Sequence, residues 1–217
     1  MIAESITFGE YAQDDFSLLP QSVYIPAPEP QTYTVEVPGR DGLIDLSDDM
    51  TGGILRFKNR VITMDMLCFA DDEDRDSMES LCVRALHGKR MKIGFDADPD
   101  HYFLGRLSVS WQSQDNIDNV SITADCDPYR YKNNITVCEY DVSGTLNITL
   151  QNEMRPSTPT ITTDAEMQLV WGASGENSLT LNAGTHRYTG LLLLEGDNEF
   201  TVNGTGHIKF EYQEGAL

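Results

Sequence analysis

Apolar and polar residues alternate along much of the chain. "TYTVEV" at 32–37 sets Tyr33, Val35 and Val37 on one face. "RVITMDMLCF" at 60–69 aligns Ile62, Met64, Met66 and Cys68, and "NVSITADC" at 119–126 aligns Val120, Ile122, Ala124 and Cys126. A period of two is that of half-buried antiparallel strands. "RMKIGF" and "HYFLGRLSVSW" continue it, joined by the turn "DADPD". One stretch changes period. In "DRDSMESLCVRALHGKR", Met78, Leu81, Cys82, Ala85 and Leu86 recur at helical spacing. Acids crowd its start, and Gly88, Lys89 and Arg90 close it, as the helix dipole and a C-terminal cap favour. This predicts one helix laid on a sheet.

The pattern shifts near residues 132–145. "YKNNITVCEYDVSG" reads as a connecting strand ending in a glycine turn. Thr, Asn and Gly then become frequent, and short strands recur at a spacing of roughly 8–12 residues, which predicts a β-sandwich. "FTVNGTGHIKFEY" reads as a hairpin turning at Asn203-Gly204, because this dipeptide readily takes the positive φ angles of a tight turn. The expected architecture is mainly β, with a first domain over 1–140 and a second over 141–217.

Composition narrows the function. The chain has 217 residues and a formal net charge of -20. The acid excess is spread over both halves, and no cluster of Lys and Arg offers the phosphate neutralisation that nucleic-acid binding needs. A negative wall does suit a channel that lets DNA pass without sticking. "MIAESITFGEY" lacks the basic and apolar parts of a signal peptide, and the longest aliphatic run, 191–194, is far too short to span a bilayer. The expectation is a protein made and kept in a cytoplasm, or released by lysis. The four cysteines form no CxxC pair, so buried free thiols are expected rather than a metal site.

The most site-like stretch is "VPGRDGLIDLSDDMTG" at 37–52. A phosphate cradle needs glycine amides at a helix N-terminus, whereas this loop follows a strand and nothing helical is expected after it. A calcium loop places its oxygens at every second residue, and Asp41, Asp45, Asp48 and Asp49 do not. What fits is a strand that breaks at Pro38-Gly39, turns, and re-enters at "LIDL". Arg40 and Asp41 are then free to pair with each other or across an interface. The four histidines lack ligand spacing, and the acidic run at 71–76 reads as a solvated helix start. No GxSxG or local Cys/His signature is present, so no catalytic residue, metal or cofactor is assigned. Tyr102, Phe103, Trp111 and Trp171 could form a sugar platform, although strand aromatics are usually core.

"VEVPGRDGLIDLSDDMTGG", "NRVITMDM", "LHGKRMKIGFDADPDHYFLGRLSV" and "ITADCDPYRYK", in this order and spacing, resemble the distal tail proteins of long-tailed phages and related prophages. "LLLLEGDNEFTVNGTGHIKFEY" is similar to the C-terminal sandwich of the same family, so the resemblance covers nearly the whole chain. It implies a structural hub at the virion tail tip, made in the bacterial cytoplasm, and no enzyme. Its N-terminal β-sandwich, with one helix and a long hairpin, would resemble tail-tube proteins and close a homo-hexameric ring. Its galectin-like C-terminal sandwich would point outward. Implied partners are the tail tube protein, the tail-associated lysin or baseplate protein, and receptor-binding proteins, with DNA passing through the lumen unbound and no membrane engaged. Within the blocks that carry the resemblance, Arg40, Asp41, Asp45, Arg60 and Arg130 are candidate subunit-interface residues. Some family members insert carbohydrate-binding modules, for which 145–217 leaves no room. The alternative reading is a sugar-binding sandwich using Trp171 or the 182–190 loop with Arg187 and Tyr188.

Overall fold

A computed structural model describes residues 5–71, 73–113, 117–172 and 175–217. Residues 1–4, which enter the signal-peptide reading, and Asp72 of the acidic run lie outside the described residues. The chain is mainly β, as expected, and forms two compact units, 1–130 and 131–217.

In the first unit the strands are β1 (Ile6–Phe8), β2 (Tyr11–Ala12), β3 (Leu18–Tyr24), β4 (Thr34–Glu36), β5 (Leu43–Asp45), β6 (Arg60–Cys68), β7 (Arg90–Phe95), β8 (Asp98–Gln112) and β9 (Asp118–Cys126). The α-helices are α1 (Ser47–Thr51) and α2 (Arg75–Leu86), and a 3-10 turn runs over Gln13–Phe16. Seven strands run antiparallel in the order β2-β1-β7-β8-β9-β6-β3. The period-two faces are those expected. Ile62, Met64, Met66 and Cys68 of β6 and Val120, Ile122, Ala124 and Cys126 of β9 are all buried. Cross-strand pairs such as Met64 with Ile122 bring them together. Cys82, Ala85 and Leu86 place the apolar stripe of α2 in the same core. Three cysteines are buried as free thiols, and burial pushes those of Cys82 and Cys126 up to about 12. The turn between β7 and β8 is tighter than "DADPD" suggests. Phe95 pairs with Asp98, and Pro99 lies within β8 at an irregular step of the ladder.

The second unit is built on two strands of 17 residues, β11 (Thr136–Asn152) and β16 (Gly196–Tyr212). They follow β10 (Arg130–Lys132) and are accompanied by β12 (Thr160–Thr163), β13 (Met167–Trp171), β14 (Asn177–Leu181), β15 (Gly184–Arg187) and β17 (Gly215–Ala216). β11 and β16 pair without a break from Thr136–Tyr212 to Asn152–Gly196. The other edge of β16 is shared: 201–203 pair with β13 and 208–211 with β12. β13 continues to β14, and β12 to β15. Leu150, Ile161, Leu169, Leu181, Leu193, Val202, Ile208 and Phe210 fill one core.

Two turns expected from sequence are absent. Asn203-Gly204 does not reverse the chain, and Gly144 lies inside β11. The glycines near 204 serve a close approach instead. A Cβ on Gly204 would stand 2.8 Å from Met167 Cγ, and one on Gly206 would collide with the Asp164 carboxylate. Both have positive φ, 153° and 145°. They mark the place where β16 changes its partner from β13 to β12, and Asp164 Oδ1 accepts from the His207 amide there at 2.8 Å.

Candidate functional site

The stretch at 37–52 lies in an arm of the first unit. β4 and β5 pair through Thr34–Asp45, Val35–Ile44 and Glu36–Leu43. A loop over 37–42 closes them, with Gly39 and Gly42 in left-handed conformation and the Arg40 amide donating to the Val37 carbonyl at 3.2 Å. The strand, turn and re-entry at "LIDL" are therefore as expected. The short helix α1 follows, which the sequence reading did not anticipate. Its cause is local: Asp45 Oδ1 accepts from the Ser47 amide at 2.9 Å and from the Ser47 hydroxyl, and Ser47 Oγ accepts from the Tyr33 amide. The Ser47 side-chain and backbone hydrogen bonds hold the Asp45 carboxyl below its ordinary pKa. Asp45 thus fixes the turn from β5 into α1. At the base of the arm, Gln31 donates through its amide to Arg56 O at 2.8 Å and Lys58 to Glu29 O at 2.7 Å, while Phe57 meets Tyr129 edge to face.

No residue from 31 to 59 is buried. Yet the arm displays large apolar side chains. Leu43, Met50 and Leu55 are 60%, 66% and 57% exposed, and Tyr33, Val35 and Val37 are exposed along β4 and its flanks, on the face opposite that of Leu43. The expectation that Tyr33, Val35 and Val37 form a half-buried face is therefore corrected: all three are exposed, and none of the described residues buries them. An isolated two-stranded hairpin is marginally stable in water at best. Large exposed apolar surface is characteristic of interaction sites. Among the described residues, Arg40 and Asp41 at the tip form no ion pair with each other or with any other group.

Arg60 and Arg130 have different surroundings. Arg60 is 6% exposed at the start of β6, and burial is the main cause of its lowered pKa. Its guanidinium donates to the carbonyls of Pro26 and Pro128 and stacks 4.9 Å from the Phe103 ring centre. Arg130 donates to Asp98 Oδ2 at 2.8 Å, and the other oxygen of Asp98 meets His101 Nδ1 at 2.8 Å. The rest of "ADCDPYRYK" acts similarly. Asp127 receives both its oxygens' bonds from Arg90, at 2.8 and 2.7 Å, and Asp125 accepts from Asn59. This block clasps the ends of β6, β7 and β8 to the exit of β9. Among the described residues, no group of three His, Cys, Asp or Glu side chains could hold a metal ion.

In the second unit, Trp171 borders a cleft of about 420 Å³. Asn147 and Thr149 of β11, Glu199 and Thr201 of β16 and Val170 of β13 also line it. The ring of Trp171 lies 6.3 Å from that of Phe200, tilted by 56°. Arg187 and Tyr188 are not at this cleft. Arg187 is exposed at the end of β15, and Tyr188 packs on His186 at 5.9 Å. The sequence offered no signal for grouping Trp171 with Asn147 and Glu199, because the strand register that brings their strands together links segments some 50 residues apart.

No protein-family model and no curated protein matches the sequence. Among solved structures, the chain is similar to the Dit protein (gp 19.1) of phage SPP1, described as a paradigm of the hub adsorption apparatus in phages infecting Gram-positive bacteria. The TM-score is 0.72 at 16% identity, covering 98% of this chain and 99% of that one. It is also similar to a chain of the phage P2 baseplate in its activated conformation with calcium, with TM-score 0.50, 7% identity, and coverage of 100% and 99%. The corresponding strontium form gives TM-score 0.48, 7% identity, and coverage of 98% and 97%. The chain has the fold of the SPP1 Dit protein over its full length.

Proposed function

We propose that this chain is a structural hub of a phage tail tip that assembles with copies of itself into a ring. The observation that carries the reading is the arm at 31–59, an ordered hairpin and helix with no buried residue and with Val35, Leu43, Met50 and Leu55 turned to solvent. Such an element gains its stability when a neighbouring copy covers it. Repeating the same head-to-tail contact closes a ring where the rotation permits. The shared fold with the SPP1 hub protein agrees with that role. The family resemblance supplies the number six and the partners: tail tube protein on one side, tail-associated lysin or baseplate protein on the other, receptor-binding protein at the periphery, and DNA passing through the lumen of a virion tail tip. Arg40, Asp41 and Asp45 are the interface residues of this reading. Arg60 and Arg130, engaged within the first unit, act through the fold. The non-enzymatic character of the protein belongs to the same proposal.

The test is the mass in solution, by light scattering over a concentration series, with negative-stain imaging alone and after mixing with the tail tube protein. Rings are expected. Val35→Asp with Leu43→Asp should abolish them and leave the urea unfolding midpoint of the protomer unchanged within error. Arg40→Ala should weaken assembly about tenfold, an effect near 1.4 kcal/mol, with no change in protomer stability. A strict monomer at every concentration, alone and with the tube protein, sinks the proposal.

A further inference from the structure

We propose that the free edge of β11 is a docking site for an extended, lysine- or arginine-bearing segment of a partner protein, added to the sheet as one more strand. β11 runs for 17 residues, and among the described residues its strand partner is β16 alone. Alternate residues of β11 therefore turn their amide and carbonyl away from β16, where no strand of this chain meets them. Such an edge is a template for another chain, and proteins blunt it with prolines, lysines, bulges or short strands. The strands that end the two larger sheets carry those devices. β2, β14 and β15 have two, five and four residues, and β3 holds Pro20 with a break in register beside it. β11 has none of them. Its sequence, TVCEYDVSGTLNITLQN, contains no Pro or Lys, and its ladder with β16 runs from end to end without a bulge.

The side chains along that edge define the partner. Every odd-numbered residue from Val137 to Gln151 is exposed. In the first half of the strand, Val137, Glu139 and Asp141 form the outer row, opposite Glu211, Lys209 and His207 of β16. Acids exceed bases here. Lys209 pairs with Glu211 at 2.9 Å, and Asp141, its side chain 94% exposed, meets His207 Nδ1 at 2.9 Å. Glu139 makes no ion pair among the described residues. The inner row is Cys138, Tyr140 and Val142. Val142 is buried, whereas Cys138 and Tyr140 are only partly covered where the core reaches the edge. An added strand would lay an apolar row against Cys138 and Tyr140 and set the alternate, basic row beside Glu139 and Asp141. Main-chain bonds give such a strand its hold and the alternate side chains its selectivity, and opposite charges on neighbouring strands reinforce the pairing. A second copy is the poorer occupant: the stretch TVCEYDVS at 136–143 has acids and no base, and each copy carries a net charge of -20.

The probe is a short capped peptide in which lysine alternates with valine, titrated into the full-length protein. The same peptide with glutamate in place of lysine, and the lysine peptide with every amide N-methylated, are the controls. Fluorescence anisotropy of the labelled peptide and amide hydrogen exchange of the protein are the readouts. The lysine peptide should bind saturably and slow exchange within 136–143, and the glutamate peptide should not bind. N-methylation keeps the charges and removes the donors, so it should lower the affinity about tenfold or more, and Glu139→Lys should do the same. Glu139 is exposed, so the urea midpoint of that variant should be unaltered. Absence of saturable binding by the lysine peptide overturns the inference. So does equal binding of the N-methylated peptide, which would mean charge attraction alone, or protection confined to strands other than β11. Protection of β11 that grows with protein concentration in the absence of peptide also overturns it and makes a second copy the occupant. Glu139 belongs to the second unit and the arm to the first, so ring formation by the Glu139→Lys protein separates this outcome from failure of the hub proposal.

Discussion

Arg60 illustrates a charge used for folding. One guanidinium satisfies two carbonyls, of Pro26 and Pro128, which come from opposite ends of the unit's sequence, and it also covers the Phe103 ring. Arg60→Ala removes the guanidinium from two partly buried carbonyls, so it should cost about 1–3 kcal/mol, read as a shift of the urea midpoint. Arg60→Lys should recover little, since an ammonium lacks the planar fork that reaches two acceptors. His207 makes a milder, pH-dependent contribution. Its hydrogen bond to Asp141 raises its pKa, with charges on Asp141, Glu139 and Asp164 adding to the effect. A raised folded-state pKa means that protonated His207 favours the native state. The contribution is present below the ordinary histidine pKa and is lost as pH climbs through the raised value. In an NMR titration His207 should titrate above an unperturbed histidine, and Asp141→Asn should bring it down.

At the scale of elements, α2 and the pair β6–β9 were legible because a single face of each meets the core, so the apolar period and the burial coincide. The turn at Asn203-Gly204 was not. Positive φ at glycine signals either a reversal or a close approach, and sequence does not separate the two. Here Met167 and Asp164 need the space. Gly206→Ala sets a Cβ against the Asp164 carboxylate at a strained φ, which should cost about 1–3 kcal/mol and loosen the junction of β13 and β12 on β16. Calorimetric unfolding of the variant measures it. The β4 face shows a complementary limit. Alternation of Tyr33, Val35 and Val37 announces that a face is to be covered, and it says nothing of whose surface covers it. The Trp171 cleft was legible only as one residue. Its other walls come from strands joined by register rather than by sequence.

For the whole molecule, charge and apolar surface act in opposition. Copies that each carry a net charge of -20 repel one another, while in the proposed assembly the exposed apolar side chains of the arm act in the other direction. Added salt screens the first term within about 8–10 Å at ordinary ionic strength and strengthens the second. Ring formation should therefore increase from low salt to about 0.5 M sodium chloride, followed by light scattering at fixed protein concentration; a decrease would mean that ion pairs such as those of Arg40 and Asp41 dominate the contact.

The arm also makes a proteolytic clock. In the lone copy, trypsin finds Arg40 on a six-residue exposed loop between β4 and β5, with no buried residue from 31 to 59 to restrain local opening. Once a neighbour lies over the hairpin, that bond is shielded. The rate of cleavage after Arg40 then reports the fraction of unassembled copies at any moment.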